Sequence, residues 1–499
     1  MNLTHPIFSS GPFKTLISLA TKEKQEIYLV GGFLRDLYLG RSKEALDLDF
    51  SLKSGAIDFG SRLARALKAG FVVLDKERGC CRVVCRDKKI RKTLTFDFID
   101  FRGKDLKEDL LRRDFTLNTL VVKLPLKLPL KGSKVEDFYG ARRDIKKKIV
   151  RVVDDASFDE DPLRILRAFS LSAIFGFKIE ARTLALIKKK RAALKEVAGE
   201  RCRDEFFKIL GTAQAWRFIA FLDRCKVLEI IIPQVIVMRD CRQGGYHHLD
   251  VWGHSLETVK KLEELMVTLR KNKDIHACLD EVMAADRKRV QLLKLAALLH
   301  DIGKPKAFEV KAGKTMFHGH ERIGRIISDS VCERLKLATR EKFALDTIIF
   351  WHLRPGYLAD NEVLTKRAVH RFFRDTQEEA VSVLLVSIAD QRATRGPLAT
   401  AESRKKHEKV AFALLKKYFE KLKETPFKRL IDGKDLIGKL RLRPGPVFSV
   451  VLNAVEEAQV EGRVTTKAQA LVLARRVAEK APQEDKKIKI SVSGGKMKS

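Results

Sequence analysis

The sequence predicts an α+β protein: an N-terminal mixed sheet with helices, then an all-helical remainder. Three observations carry this expectation. Strand-like alternation is confined to residues 26–125. Helical spacing dominates from about Asp155 onward. The 499 residues are also too many for one hydrophobic core, so several units are expected.

The elements follow in order. "EIYLV" (26–30), "ALDLDFSL" (45–52), "GFVVLD" (70–75), "CRVVCR" (81–86) and "LTFDFIDF" (94–101) read as strands, by apolar runs or by alternation. "AIDFGSRLARALKAG" (56–70) reads as an amphipathic helix between two of them. Downstream, "DPLRILRAFSLSAIFGF" (161–177), "ARTLALIKKKRAALKEV" (181–197) and "ERCRDEFFKILG" (200–211) all have helical spacing. The lysine-rich end, closing on "SVSGGKMKS", reads as a disordered tail.

Charge narrows the partners. Lys and Arg total 100 against 65 acids, a net charge of +35. Such an excess favours a polyanion, above all nucleic acid, through phosphate contacts and counterion release. No apolar run approaches the roughly 20 residues that span a bilayer, so no membrane partner is expected. The N-terminus lacks a basic start before an apolar stretch, which predicts a cytoplasmic protein. Eight scattered cysteines with no CxxC pair read as free thiols.

Asp47 and Asp49 alternate on a strand, with Leu46, Leu48 and Phe50 on its other face. Two like charges side by side are costly unless a divalent cation lies between them. Mg²⁺ favours one or two carboxylates together with substrate phosphates. Asp97 and Asp100, in "FDFIDF", are candidates for a third acid on a neighbouring strand. Just upstream, in "YLVGGFLRD", Gly31 and Gly32 let the backbone approach a triphosphate closely. Arg35 is placed to pair with phosphate oxygens. Taken singly, each feature also fits an exposed loop or a plain strand–helix turn.

Asp161, Arg164 and Arg167 are spaced i, i+3 and i+6, which predicts one helix face. Cytosine and adenine both present an exocyclic amine beside a ring-nitrogen acceptor. A carboxylate accepts from the amine and a guanidinium donates to the ring nitrogen. Uracil and guanine place a carbonyl where the amine would be, which leaves the carboxylate unpaired. The same spacing also fits a solvated face with intrahelical ion pairs.

A second constellation lies in the C-terminal half. "GHSLETV" holds His254, "LAALLHDIGKP" holds His300 and Asp301, and "FHGHE" holds His318 and His320. "FWHLRP" holds His352 and "SIADQRATRG" holds Asp390. Imidazoles and carboxylates together suit a transition metal or Mg²⁺, and such a metal activates water for phosphoester hydrolysis.

These motifs, in order, resemble a known family. "GGFLRD" with "LDLDF", "EDLLRRDFTLNTL" (108–120), "EDFYGARRDIKKKIVRVV" (136–153), "DEDPLRILRAFSLSAIFGF" (159–177) and "ERCRDEFFKIL" (200–210) resemble class II tRNA nucleotidyltransferases and bacterial poly(A) polymerases. The His-Asp set around "HDIGKP" resembles the HD phosphohydrolase superfamily.

The resemblance implies a polymerase β-like nucleotidyltransferase head over 1–150 and a helical neck over 151–230 that selects the base and binds RNA. It implies an HD domain over 231–400, a helical tRNA-contacting region over 401–480 and a basic tail over 481–499. Carried over, Asp47 and Asp49 hold Mg²⁺, with Asp97 as a further catalytic acid. Gly31, Gly32, Arg35 and Arg113 contact the nucleotide, and Asp161, Arg164 and Arg167 read its base. His254, His300, Asp301 and Asp390 ligate a divalent metal of open identity, with His320 and His352 as further candidates.

The implied activity is untemplated addition of all or part of CCA to tRNA from CTP and ATP, releasing pyrophosphate. Hydrolysis of phosphoesters at RNA 3′ ends by the HD unit comes with it. Poly(A) synthesis, CC addition and A addition remain alternatives, and the oligomeric state is open. A lone phosphohydrolase with a degenerate head, or a basic RNA-binding protein, would leave the ordered motifs unexplained. Two departures stand out. Ser170 takes the place of a third arginine of many relatives, and the short link in "DFRGKDLKEDLLRRD" resembles CC-adding members.

Overall fold

The computed structural model describes residues 5–41, 46–87, 91–124, 134–361, 363–424 and 427–480. The tail expected over 481–499 lies outside them. The head opens with α1 (Gly11–Glu23), whose first turn is capped by Ser10 accepting from the Phe13 N–H. It continues with β1 (Ile27–Val30), α2 (Gly32–Tyr38), β2 (Leu46–Leu52), α3 (Ala56–Leu67), β3 (Gly70–Asp75), β4 (Cys80–Asp87) and β5 (Lys92–Asp100). After α4 (Leu106–Leu111) come β6 (Val121–Lys123), β7 (Val135–Glu136) and α5 (Ala141–Lys147).

The seven strands form one sheet in the order β3-β4-β5-β2-β1-β6-β7. Only β2 and β5 run parallel; the other neighbours are antiparallel. Alternation along β2 buries Leu46, Leu48 and Phe50 and leaves Asp47 and Asp49 on the opposite face. Phe50 stacks on Phe98 of β5, ring centroids 5.0 Å apart. α3 covers this face with Phe59 and Leu63, both fully buried. The five expected strands are β1 to β5; β6 and β7, at three and two residues, are too short to leave a pattern.

From there the chain is helical, as expected. The neck holds α6 (Ser157–Glu160), α7 (Leu163–Phe175), α8 (Ala181–Lys190), α9 (Gly199–Leu210), α10 (Ala215–Arg224) and α11 (Leu228–Ile231). Then follow α12 (Val251–Thr268), α13 (Lys273–Asp280), α14 (Arg289–Leu299), α15 (Lys304–Ala307), α16 (His320–Arg334) and α17 (Thr339–Trp351). α18 (Arg354–Asp360), α19 (Lys366–Thr376), α20 (Ala380–Ala393) and α21 (Ala401–Lys423) complete this body. Two small hairpins, Val282–Lys288 and Glu309–Met316, interrupt it and were not expected.

One apolar core runs from α1 through the sheet and neck to Ala411, Leu414 and Leu415 of α21. α14 joins the neck directly: Gln291 Nε2 donates to the Phe207 carbonyl at 2.9 Å, and Lys294 Nζ to the Thr212 carbonyl at 2.6 Å. The first carbonyl lies in the last turn of α9 and the second just beyond it. A second core, built on Leu436, Val451, Val455, Ala470 and Ala474, unites α22 (Gly433–Leu440), α23 (Pro446–Val460) and α24 (Lys467–Lys480). Glu457 of α23 anchors this unit to α19, accepting from Arg367 at 2.8 Å, Arg371 at 2.6 Å and Arg374 at 3.1 Å. Among the described residues no helix is long and apolar enough to cross a membrane, and all eight cysteines are free.

Candidate active sites

β1 delivers the chain into Gly31, whose φ of 85° and ψ of −148° suit glycine alone. A Cβ there would lie 2.7 Å from Asp49 Oδ2 and 3.4 Å from Arg113 Nη1. The missing side chain therefore leaves room for two charged groups to meet. Asp49 pairs with Asp97 in the parallel β2–β5 register, one step from Asp47 opposite Thr95. All three acids thus share one face of the sheet.

Asp97 is already partnered: Arg82 of β4 donates to its two oxygens at 2.8 and 2.7 Å. Asp100 is taken up elsewhere, accepting from the Ala56 N–H at 2.8 Å at the start of α3. Burial raises the Asp49 carboxyl against the pull of Arg113, and Asp97 and Asp47 raise it further. Hard carboxylate oxygens crowded in this way fit a divalent cation, which would reverse that shift.

A cavity of about 650 Å³ lies between head and neck. Gly31, Gly32, Arg35, Asp47, Asp49, Asp97, Arg113, Asp161, Arg164 and Arg167 all line it. The structure therefore brings together the head and neck residues singled out above, except Asp100. Their freedom differs. Arg113 donates to Ser51 Oγ at 3.0 Å and keeps a buried Nε with no partner. Arg35 is packed into the framework: Nε donates to Asp36 at 2.9 Å, Nη1 to Asn118 at 2.6 Å, and its guanidinium sits 4.5 Å over the Phe175 ring. Asn118 lies within "EDLLRRDFTLNTL", but its link to Arg35 spans 83 residues and leaves no local trace.

The neck corrects one expectation. Asp161 does not share a helix face with Arg164 and Arg167. It precedes α7 in extended backbone, φ −150° and ψ 98°, because Pro162 disfavours helix before it. Its Oδ1 accepts from the Leu163 N–H at 3.2 Å, while Oδ2 is held by Arg201 of α9 at 2.9 Å.

Arg164 is buried. Nη1 donates to Ser157 Oγ at 2.8 Å and Nη2 to the Arg112 carbonyl at 2.9 Å, which ties neck to head. Arg167 bridges Asp114 at 3.4 Å and Glu205 at 3.5 Å. Glu205 also accepts from Ser170 and, at 2.8 Å, from Lys208. Arg201 and Glu205 belong to "ERCRDEFFKIL"; the spacing marks a helix but not its partners.

The histidine cluster converges on Asp301, at the end of α14. Its carboxylate lies 3.2 Å from His300 Nε2, 3.2 Å from His320 Nε2, 3.7 Å from His254 and 3.7 Å from His352. His254 meets Asp390 of α20 at 2.8 Å. His300, His320 and His352 each donate Nδ1–H to a carbonyl three residues back, of Ala297, Phe317 and Ile349. That fixes the tautomer and aims each Nε2 inward, where it forms no hydrogen bond. Orphaned inward nitrogens around a buried carboxylate form a donor set that would suit a divalent metal.

All six proposed ligands meet here, whereas His318 is exposed. Burial disfavours the Asp301 anion, yet His300 and Lys304 hold its carboxyl well below the usual range. Lys304 Nζ stands 2.6 Å from it. His247, which the motif reading did not single out, packs edge-on against His254 at 4.5 Å. Burial and Lys304 hold His247 down at about 3.

A sheet carrying a carboxylate pair, a neck closing over it and a separate His-Asp centre define a metal-dependent nucleotidyltransferase with an appended HD domain. Comparison with known proteins is specific. Residues 27–151 match the "Poly A polymerase head domain", 176–238 the "Probable RNA and SrmB-binding site of polymerase A", and 251–395 the "HD domain". The chain belongs to the class II tRNA nucleotidyltransferase and poly(A) polymerase family.

An A-adding tRNA nucleotidyltransferase of Deinococcus radiodurans is 30% identical over 465 residues, covering 91% of this chain and 96% of that one. A CC-adding tRNA nucleotidyltransferase of Thermus thermophilus is 29% identical, covering 89% and 92%. Among solved structures, the Thermotoga maritima CCA-adding enzyme complexed with tRNA superposes with a TM-score of 0.58 at 22% identity, over 93% of this chain and 94% of that one, and shares the fold.

Proposed function

We propose that this chain adds part of the 3′-terminal CCA to tRNA, using CTP or ATP and Mg²⁺, and that it works in the cytoplasm, where its acceptor is. One observation carries the reading: Asp47, Asp49, Arg113, Asp161 and Arg164 all line a single cavity. Mg²⁺ held by Asp47 and Asp49 would acidify the attacking 3′-hydroxyl and offset the charge of the leaving pyrophosphate. The protein's own contribution is placement. The bare Cα of Gly31 admits the triphosphate, and Arg113 meets its oxygens. Asp161, held by Arg201, accepts from the exocyclic amine of cytosine or adenine. Arg164 donates to the ring nitrogen through the N–H groups that its framework bonds leave over.

Partial addition is favoured by the link between β5 and Arg113, which is only residues 101–112. The names of the A-adding and CC-adding relatives, matched over nearly their full length, favour it too. The test offers tRNA ending before CCA, after C and after CC, with each nucleotide alone. CC-adding, A-adding, complete CCA-adding and poly(A) enzymes each give a different product pattern. No extension of any acceptor would overturn the reading.

The HD centre favours a second activity, hydrolysis of phosphoesters at RNA 3′ ends. The supporting observation is the set of inward Nε2 atoms around Asp301. Elemental analysis paired with a 2′,3′-cyclic phosphate hydrolysis assay tests it. Absence of both metal and turnover would leave the centre structural.

A further inference from the structure

Between α12, the end of α20 and the start of α21 lies a second cleft, of about 610 Å³. Six charged side chains line it: Lys261, Glu264, Arg392, Arg395, Arg404 and Glu408. Its two acids are already answered. Glu264 meets Lys261 at 2.8 Å, and Glu408 takes two parallel bonds from Arg392, both 2.9 Å.

Arg395 and Arg404 are different. Neither meets a carboxylate among the described residues. Their bonds there go to main-chain carbonyls, Arg395 to Arg392 at 3.4 Å and Arg404 to Ala399 at 3.0 Å. Two guanidiniums thus face a concave surface with no ion-pair partner of their own among the described residues, and its four cations outnumber its two acids.

The loop that carries Arg395 and leads into α21, where Arg404 sits, is fixed. The Gly396 N–H donates to the Tyr246 carbonyl at 2.7 Å, and the Leu398 N–H to the Gly245 carbonyl at 3.1 Å. A Cβ on Gly396 would lie 2.2 Å from the Tyr246 carbonyl carbon, so only glycine permits this approach. The arginines are therefore held in place before any ligand arrives, which lowers the cost of binding.

We propose that this cleft binds two backbone phosphates of an RNA strand. Planar guanidiniums suit phosphate oxygens, which they can grip in pairs. No aromatic ring lines the cleft, so bases have nothing to stack on, and the contact is to the backbone, independent of sequence. The cleft also lies along a shared helix. Lys261 follows His254 by seven residues on the same face of α12, about 10 Å along it. The cleft and the HD centre thus share α12 as a common wall. This rests on the reading of the chain as one that handles tRNA.

The test measures the affinity of the full chain for a tRNA transcript across a salt series. Four proteins are compared: wild type, R395Q/R404Q, the charge-keeping R395K/R404K, and a control, K416Q/K417Q, remote on α21. For R395Q/R404Q the slope of log affinity against log salt falls in magnitude by about 1.4–1.8, the worth of two phosphate contacts. R395K/R404K keeps the wild-type slope. The exposed single change R395Q, which leaves the fold untouched, loses about half as much. Slopes for R395Q and R395Q/R404Q equal to that of the control would overturn the proposal. Failure of the wild type itself to bind tRNA would instead overturn the reading on which it rests.

Discussion

Gly31 and Asp49 stand so close that a single methyl on Gly31 would sit 2.7 Å from Asp49 Oδ2. The backbone there, at φ 85°, is one that other residues rarely adopt. Gly31→Ala should therefore push the Asp49 carboxylate out of line and cost about 100-fold in kcat. Steady-state nucleotide addition reads this, with tRNA affinity as the control that stays level.

Asp47→Ala and Asp49→Ala remove the two carboxylates on which the proposed Mg²⁺ depends. Each should lower addition by about 1,000-fold or more. Filter binding should show tRNA still held. Retained activity in both variants would refute the assignment of the pair.

Arg82 makes a different kind of test. It neutralises Asp97, directly opposite Asp49 in the sheet. Arg82→Gln takes one positive charge from the edge of a cation site. The Mg²⁺ concentration for half-maximal activity should fall about fivefold or more, since one pair of unit charges at short range in water is worth roughly 1 kcal/mol and Mg²⁺ carries two charges. A metal titration at fixed tRNA gives the answer. An unchanged or higher requirement would place Asp97 outside the metal's reach.

In the HD centre, His300→Ala and Asp301→Ala should strip bound divalent metal, measured by elemental analysis of the purified protein. Nucleotide addition by the same variants should persist, because His300 and Asp301 line no part of the head–neck cavity.

Glu457 offers a pH test. Burial opposes its charge, but Arg371, Arg374 and Arg367 hold its carboxyl down at about 2. An acid depressed in this way stabilises the fold above its usual pKa and loses the effect as pH falls through the lowered value. Attachment of α22–α24 should therefore persist at pH 5, weaken below about 4.5 and fail near 2. Glu457→Ala should release the unit at neutral pH, seen as faster limited proteolysis between α21 and α22.

The parts of the molecule that were legible in sequence are those whose cause is local. Alternation around Asp47 and Asp49 is a property of one strand, and the five expected strands stand where their patterns run. The His-Asp cluster was legible because His300 and Asp301 are adjacent in "HDIGKP" and most of the histidines fall between 247 and 370. Position relative to Pro162 escaped the spacing argument: Asp161 looked helical by count, yet the proline excludes it from the helix. Partners across long separations left no pattern either. Arg201 holds Asp161 from 40 residues away, and Asn118 holds Arg35 from 83. The cleft at Arg395 and Arg404 needs three helices to exist.

α14 has a consequence for how such a protein can be rearranged. Gln291 in its first turn and Lys294 at its middle bond the last turn of the helix that carries Arg201 and Glu205 and the residues just after it, and His300 closes the far end. Eleven residues thus form a stiff spacer of about 16 Å between two chemistries. Cutting the chain before α12 would strip the neck of the donors that cover its carbonyls. The halves are therefore poor candidates for exchange as cassettes, and a shortened enzyme would need a new partner for Phe207 and Thr212.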